Sequence, residues 1–384
     1  MRQFEFLEKL FSFEQTGFPF ISIYLNTGPN ETGKKDFDVF LKKQLKEHGS
    51  VLDAESSEAE SYKADVEKIE NFVEKLDPSS KGVAIFASSG SDGFFETYQF
   101  ALPFEENAFD VGERPRVYPI VRLISQNPTF AVAAADTNKA DIYVFKRGHT
   151  LDVQNIQHEV TNRSDVGAWS QARYQRHIDN FHQQHAKEIA DELEKLMLNE
   201  KISRFFLAGD AAVIIPMLKN ELSKELTEKV IDTININVDT PEHEVLEIAH
   251  GRLREKDVEQ DREKVDNLME QNYDEGLGVV GVEKTLTALL NGQVQELYLN
   301  AALDEITYNR NDIRQVLKDY EPGEEGELPN PAERAAVIDE ILLRAASTAE
   351  EIRFIEDEHL LKSVGGIGAL LRYQVKEVSG ATNA

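Results

Sequence analysis

The residues best suited to chemistry in this chain lie between Arg163 and His177, the run Arg163-Ser164-Asp165-Val166-Gly167-Ala168-Trp169-Ser170-Gln171-Ala172-Arg173-Tyr174-Gln175-Arg176-His177. From Arg163 to Lys187 there are four Lys or Arg, two acids and three His, in a chain of 384 residues with a formal net charge of -28. Charge in this segment opposes the trend of the whole. On a helix, Arg173, Arg176, His177, Asn180 and Gln184 fall on one face, opposite Ile178, Phe181 and Ile189. Such a helix would offer cations to a phosphate backbone while its other side packs. Trp169, the single tryptophan, would stack on a base at the tip of the preceding loop. Composition alone is met equally by a polar loop leading into an amphipathic helix, and both readings stand at this point.

Other chemistries fail on their residues. Gly28-Pro29-Asn30-Glu31-Thr32-Gly33-Lys34-Lys35 follows a strand and precedes a helix, as a phosphate loop does. Lys35, however, stands where a hydroxyl must bind magnesium, Pro29 removes a backbone donor and Glu31 repels phosphate. A charged turn accounts for it. Gly365-Gly366-Ile367-Gly368 has no βαβ unit after it, so a tight helix-to-strand connection is expected instead of a dinucleotide site. His177, His182 and His185 with Asp179 do not share the spacing of a zinc helix, and His243-Glu244 with Glu247 and His250 falls short of HExxH. Surface and boundary histidines are expected, with no metal and no cofactor. Cysteine is absent, which removes disulfides, thiol nucleophiles and cysteine-ligated zinc together.

The acidic balance argues against a general affinity for nucleic acid, so any RNA contact must be local. No stretch reaches the roughly 18 apolar residues of a membrane span, and the start, Met1-Arg2-Gln3-Phe4-Glu5, lacks the basic flank and apolar core of a secretory signal. A cytoplasmic protein with no membrane association is expected.

The elements that must position these residues read as α/β in three domains. In residues 1–116, Phe20 to Leu25 is a strand, Phe37 to Leu45 a helix, Ala54 to Glu74 a solvated helix, and Gly82 to Phe86 and Phe94 to Phe100 further strands. A charged, proline-containing turn at Glu113-Arg114-Pro115-Arg116 marks a boundary. Residues 117–274 begin with a three-strand meander, Phe130 to Ala135, Ala140 to Phe145 and Leu151 to Ile156. The loop 161–171 and a long helix follow, with Tyr174, Ile178, Phe181, His185, Ile189, Leu193 and Leu196 on its apolar face. Then come a strand at Arg204 to Ala208, a helix at Ala212 to Leu222, a strand at Val230 to Ile236 and a charged helix from Glu242 to Gln271. The middle domain is therefore expected to be a mixed sheet with long helices. Residues 275–384 alternate helix and strand, which implies an α/β/α sandwich, and Tyr320 to Pro331 reads as a surface loop.

At the level of motifs, the chain resembles the archaeo-eukaryotic class I peptide chain release factors. Ser170-Gln171-Ala172-Arg173-Tyr174-Gln175-Arg176 is similar to the Ser-x-x-Arg-aromatic-x-Arg helix start that follows that family's Gly-Gly-Gln loop. Phe206-Leu207-Ala208-Gly209 resembles a strand of its middle domain. Val282-Glu283-Lys284-Thr285-Leu286-Thr287-Ala288-Leu289 and Gly365 to Tyr373 resemble the opening and closing segments of its third domain. The resemblance runs in order from about Ala131 to Val375. It departs in three places: Gly167-Ala168-Trp169 occupies the Gly-Gly-Gln position, and the codon-reading motifs Asn-Ile-Lys-Ser and Tyr-x-Cys-x-x-x-Phe are missing. These departures are most similar to the bacterial relatives of the group and to eukaryotic quality-control hydrolases.

What the resemblance implies is hydrolysis of the ester joining a nascent peptide to tRNA, with stop-codon decoding absent. Gly167 would slip the loop into a crowded RNA cavity, and Gln171 would position a water. Arg163, Trp169, Ser170, Arg173, Arg176 and His177 would contact RNA. The implied partners are the ribosome and peptidyl-tRNA. With Trp169 in the glutamine's place, the resemblance also implies an alternative: a non-catalytic ribosome-binding surveillance factor that recruits a splitting partner through its third domain.

Overall fold

The computed structural model describes residues 4–28, 36–53, 55–100, 102–146, 149–157, 168–199, 202, 204–273, 276–317 and 330–374, with the backbone alone described between 146 and 179. The segments 29–35, 161–167 and most of the 320–331 insertion, each singled out above, lie outside the described residues. The chain divides into two compact units, one of residues 1–126 with 260–384 and one of residues 127–259.

The first unit opens with a short helix, α1 (Glu8–Phe11), and strand β1 (Phe20–Asn26). Helices α2 (Phe37–Gly49) and α3 (Ser57–Val73) follow, then β2 (Gly82–Ser88), β3 (Phe94–Phe100), β4 (Ala108–Gly112) and α4 (Tyr118–Gln126). The strands form an antiparallel sheet in the order β3-β2-β1-β4. β1 and β2 are buried along both faces, which is why they read as unbroken apolar runs rather than alternations. Ile21, Ile23, Leu25, Val83 and Ile85 face α2 and α3. The helix expected to be solvated, α3, is therefore half committed to the core through Tyr62 and Ile69, its entrance capped by the Ser56 side chain.

The second unit holds β5 (Phe130–Ala135), β6 (Lys139–Lys146), β7 (His149–Gln157), α5 (Ala168–Asn199), β8 (Phe205–Gly209), α6 (Ile214–Glu221), α7 (Lys224–Glu228), β9 (Val230–Ile234) and the start of α8 (Glu242–Tyr273). Its sheet has the order β7-β6-β5-β8-β9. β5, β6 and β7 form the antiparallel meander, while β8 and β9 run parallel to β5, so the sheet is mixed. Period-two alternation splits β5 between two layers. Ala131, Ala133 and Ala135 lie under α5 and α6, and Phe130, Val132 and Ala134 lie under Val245, Ala249 and Leu253 of α8.

Back in the first unit, β10 (Gly278–Val280), α9 (Val282–Leu290), β11 (Val294–Asn300), α10 (Arg310–Val316), α11 (Pro331–Thr348), β12 (Glu351–Ile355) and β13 (Ile367–Leu371) complete the chain. The sheet order is β10-β13-β11-β12. Leu297 and Leu299 face α9 and α11, whereas Tyr298 faces Val265 and Leu268 of α8, so this part is an α/β/α sandwich whose second layer is the end of α8. Those turns, from residue 260 on, lie ahead of the boundary read at 274 in the sequence. Lys264 reaches both Glu296 and Glu351, at 2.5 and 2.8 Å, and Arg353 reaches Asp261 at 2.5 Å. Gly365 and Gly366 both turn with positive φ, 83° and 78°, after a single 3-10 turn at Lys362–Val364, and feed β13 directly. That connection is the tight link expected of Gly365-Gly366-Ile367-Gly368.

The far face of the N-terminal sheet is continuous with this sandwich. Phe20, Tyr24 and Phe86 share one core with Val117, Ile120 and Val121 at α4, with Val337 and Ile341 of α11, and with Leu297 of β11. Tyr118–Gln126, read from the sequence as part of the middle domain, lies in the first unit.

Candidate functional site

The candidate residues gather where α5 begins, and strand direction decides where that is. β5, β7, β8 and β9 all point the same way, so their carboxyl ends, at Ala135, Gln157, Gly209 and Ile234, lie along one edge of the sheet. In open α/β sheets this edge is where ligands bind. The chain leaves that edge after β7 and returns to the opposite edge at β8, where Ile202 N–H bonds to Met197 O and Ala131 N–H to Arg204 O. α5 therefore runs from the carboxyl edge to the amino edge.

Its length then matters. α5 has 32 residues and β5 has 6, which at the usual rises is about 48 Å against about 20 Å. The residues of α5 in the sheet's core are Ala186, Ile189, Ala190, Leu193, Leu196 and Met197. Measured from its C-terminal end at the amino edge, the excess of α5 over the length of the strands falls to its N-terminal half. No acidic residue occupies its first turn, whereas α8 has Glu242 and Glu244 there. The positive dipole end of α5 thus has no acid of the helix's own first turn beside it.

Trp169, Ser170 and Gln171 lie in the first turn of α5, and Arg173, Arg176 and His177 in the next two turns. The helix starts at Ala168, so Trp169 and Gln171 belong to helix backbone where a loop to residue 171 was expected. The side chains of these six residues lie outside the description, as do Arg163 and Gly167 entirely. By helical period the positions of Arg173, Arg176 and His177 share a stripe with Asn180 and Gln184, which are both exposed, while Ile189 is buried. His185 is a correction to the histidine reading: it is fully buried, in step with Ile189 and Leu193, as is expected for a ring on the apolar face.

Around the same edge, Asp136 Oδ1 accepts the N–H groups of Asn138 and Lys139 at 2.7 and 2.9 Å. Asp210 Oδ1 accepts those of Ala212 and Val213 at 2.7 and 3.0 Å, shaping the turn from β8 into α6. Lys139 pairs with Asp239, a hydrogen bond that holds its ammonium above the ordinary range. These acids serve turns and an ion pair. Among the described residues no group of three or more His, Cys, Asp or Glu is placed to hold a metal ion, and no helix is long and apolar enough to cross a membrane.

The other layer is pinned by charge. Arg252 reaches Asp232 at 2.6 Å and Arg204 reaches Asp257 at 3.0 Å, tying α8 to β9 and β8. Burial works against the Asp232 anion, but the Thr233 N–H and Arg252 outweigh it and hold the carboxyl below its ordinary range. His250 packs edge-on against Phe130, with ring centroids 5.5 Å apart, and burial followed by Arg254 pushes its imidazole down. It is a half-buried boundary residue, as expected of the histidines.

Residues 115–254 match a family model described as bacterial archaeo-eukaryotic release factor family 10. Peptide chain release factor subunit 1 of Methanobrevibacter smithii is 24% identical over 290 residues, covering 67% of this chain and 68% of that protein. The uncharacterised protein Rv2629 of Mycobacterium tuberculosis is 23% identical over 278 residues, 68% of this chain and 71% of the other. Among solved structures, Saccharomyces cerevisiae Dom34, a translation termination-like factor, covers 77% of this chain and 80% of its own at 12% identity and a TM-score of 0.43, too loose a superposition to carry weight. The matched interval spans the whole mixed sheet, α5 and the first turns of α8. The chain is therefore similar to the archaeo-eukaryotic release factors over about two thirds of its length, and the family model itself matches residues 115–254.

Proposed function

We propose that this protein works at the ribosome as a codon-independent peptidyl-tRNA hydrolase, in ribosome rescue or termination. The observation that carries the reading is the N-terminal half of α5: cationic in sequence, free of first-turn acids and longer than the sheet beneath it, within the interval that matches the release-factor model. An extended arm of this kind suits a cavity lined by RNA, where phosphate contacts position and the reacting ester lies deep. The names of the relatives in Methanobrevibacter and elsewhere support the same setting.

In this reading a water attacks the ester carbonyl carbon, the bond to the tRNA ribose oxygen breaks, and the products are a peptide acid and a tRNA hydroxyl. Gln171 orients the water through its amide and takes no proton, and Gly167 keeps the loop thin. Arg163, Trp169, Ser170, Arg173, Arg176 and His177 hold RNA, and the ribosome supplies the rest of the surroundings.

Trp169, standing at the family's glutamine position, favours a second reading: a surveillance factor that occupies the tRNA site and recruits a splitting partner without cleaving anything. Purified protein added to stalled ribosomes and to free large subunits carrying labelled peptidyl-tRNA separates the two. Released peptide establishes the hydrolase, stable co-sedimentation with intact peptidyl-tRNA establishes the binding factor, and the absence of both excludes a ribosomal role.

A further inference from the structure

The start of α4 is held by a carboxylate from the far end of the chain. Oδ1 of Asp339, on α11, accepts the backbone N–H groups of both Val117 and Tyr118 at 2.8 Å, donors that a helix leaves free at its first turn. Asp339 is 7% exposed. The residue before these donors is tied to the N-terminal sheet: Arg116 N–H donates to Ser22 Oγ at 3.0 Å, and the Tyr24 hydroxyl donates to Arg116 O. The residues after them are tied to the sandwich: the Tyr118 hydroxyl donates to Ala301 O, and Ser125 Oγ to Ile352 O at 2.8 Å. Charges repeat the pattern. Arg114 reaches Glu340 of α11 at 2.6 Å, and Arg122 of α4 lies 2.9 Å from Glu105 and 3.8 Å from Glu356.

Apolar packing closes the same seam. Phe20, Tyr24 and Phe86, on the far face of the N-terminal sheet, are at most 1% exposed. Their core runs through Val121 of α4 into Val337 and Ile341 of α11 and Leu297 of β11. Tyr118 meets Phe354 of β12 edge to face, with ring centroids 5.6 Å apart. The opposite face of the same strands is covered by α2 and α3, so β1 and β2 present no open face to solvent. Interfaces between domains that move independently are usually more polar. Here the joint is made of fully buried aromatic and aliphatic side chains, with Asp339 bonded at its centre.

We propose that the N-terminal sheet and the C-terminal sandwich are one rigid and cooperative body, riveted through α4, so that residues 1–126 are no independent arm. Two consequences follow for binding. A partner that grips the sandwich carries the N-terminal sheet with it, and a ligand of residues 1–126 meets helices, edges and loops instead of a sheet face. Cooperative units of this kind open together, so a loss of stability on one side is felt on the other.

Native-state hydrogen exchange of the full chain tests this. Ile85 is fully buried in the layer between β2 and the helices α2 and α3, away from the sandwich. Ile85→Ala is expected to speed exchange of the slowest amides of β1 and β2 by about thirtyfold or more, and the slowest amides of β11 and β13 by the same factor within twofold. Leu361→Ala, beside Tyr298 on the sandwich face turned toward α8, is expected to act on β1 and β2 in the same way. Should Ile85→Ala not fold, Ile85→Val carries the comparison at about fivefold. A factor in β11 and β13 less than half of that in β1 and β2 overturns the proposal, because the two sheets then open separately.

Discussion

Gly209 approaches Ala135 so closely that a Cβ on the glycine would lie 2.3 Å from the Ala135 carbonyl oxygen. The contact locks the end of β8 to the end of β5 at the sheet's carboxyl edge, and the backbone there has φ of 146°. Strain and overlap both fall on a side chain at this position, because the opposing atom is ladder backbone that cannot move aside. Gly209→Ala is expected to lower stability by about 3 kcal/mol or more. Urea unfolding should show a lower midpoint with an unchanged slope.

The cationic stripe of α5 predicts salt-dependent ribosome binding. Arg173→Ala and Arg176→Ala should each weaken association and reduce the slope of log affinity against log salt by about 0.7 to 1. Lys195→Ala, on the far end of the same helix and paired with Glu192 at 2.9 Å, should leave the slope unchanged. Titrations of fluorescent protein into ribosomes at several salt concentrations measure all three.

Acid should weaken the second unit through His250. Its imidazole is pushed down by burial and by Arg254, so the unfolded chain takes up a proton first. The stability it contributes is full above pH 6.5, the unfolded value, and is lost as pH falls below that toward the lower folded value. His250→Phe, which keeps a ring against Phe130, should flatten the fall in melting temperature between pH 7 and pH 5.

The attachment of α8 to the C-terminal sheet rests on partners that are largely buried, with Arg353 and Asp261 exposed by 13% and 9% in their side chains. Removing Asp261 leaves the largely buried Arg353 with Glu351 as its charge partner, at 3.1 Å. Asp261→Ala should cost on the order of 3 kcal/mol, whereas removing exposed Glu47 from its 3.8 Å pair with Lys43 should cost under about 1 kcal/mol. Calorimetry of the two variants compares them directly.

Much of the architecture was legible because its strands are uniform. β1, the β5 to β7 meander and β11 are runs of apolar and β-branched residues bounded by turns, and α9 and α11 carry clear caps or periods. β4 and α4 escaped notice for local reasons. β4 is a half-buried strand of 5 residues, and α4 has Pro119 in its first turn, which reads as a break in sequence although a helix accepts it there. The candidate site was legible as a motif and as charge, from Arg163 to His177. Its setting was not: the pairing of β5 with β8, which creates the carboxyl edge, joins residues some seventy positions apart in a register that no local pattern encodes. Asp339 was invisible for the same reason, being one acid among 70 until its contacts with Val117 and Tyr118 set it apart.

Whether the start of α5 does chemistry at the ester separates a hydrolase from a binding factor. The most direct measurement is the single-turnover rate of peptide release from ribosome-bound peptidyl-tRNA, with saturating wild-type protein and with Gln171→Ala. Loss of a group that orients the attacking water is worth about 3 kcal/mol, so release by the variant should be slower by about a hundredfold or more while its ribosome binding is unchanged. Equal release rates for the two proteins, or a wild type that binds and never releases peptide, would contradict it.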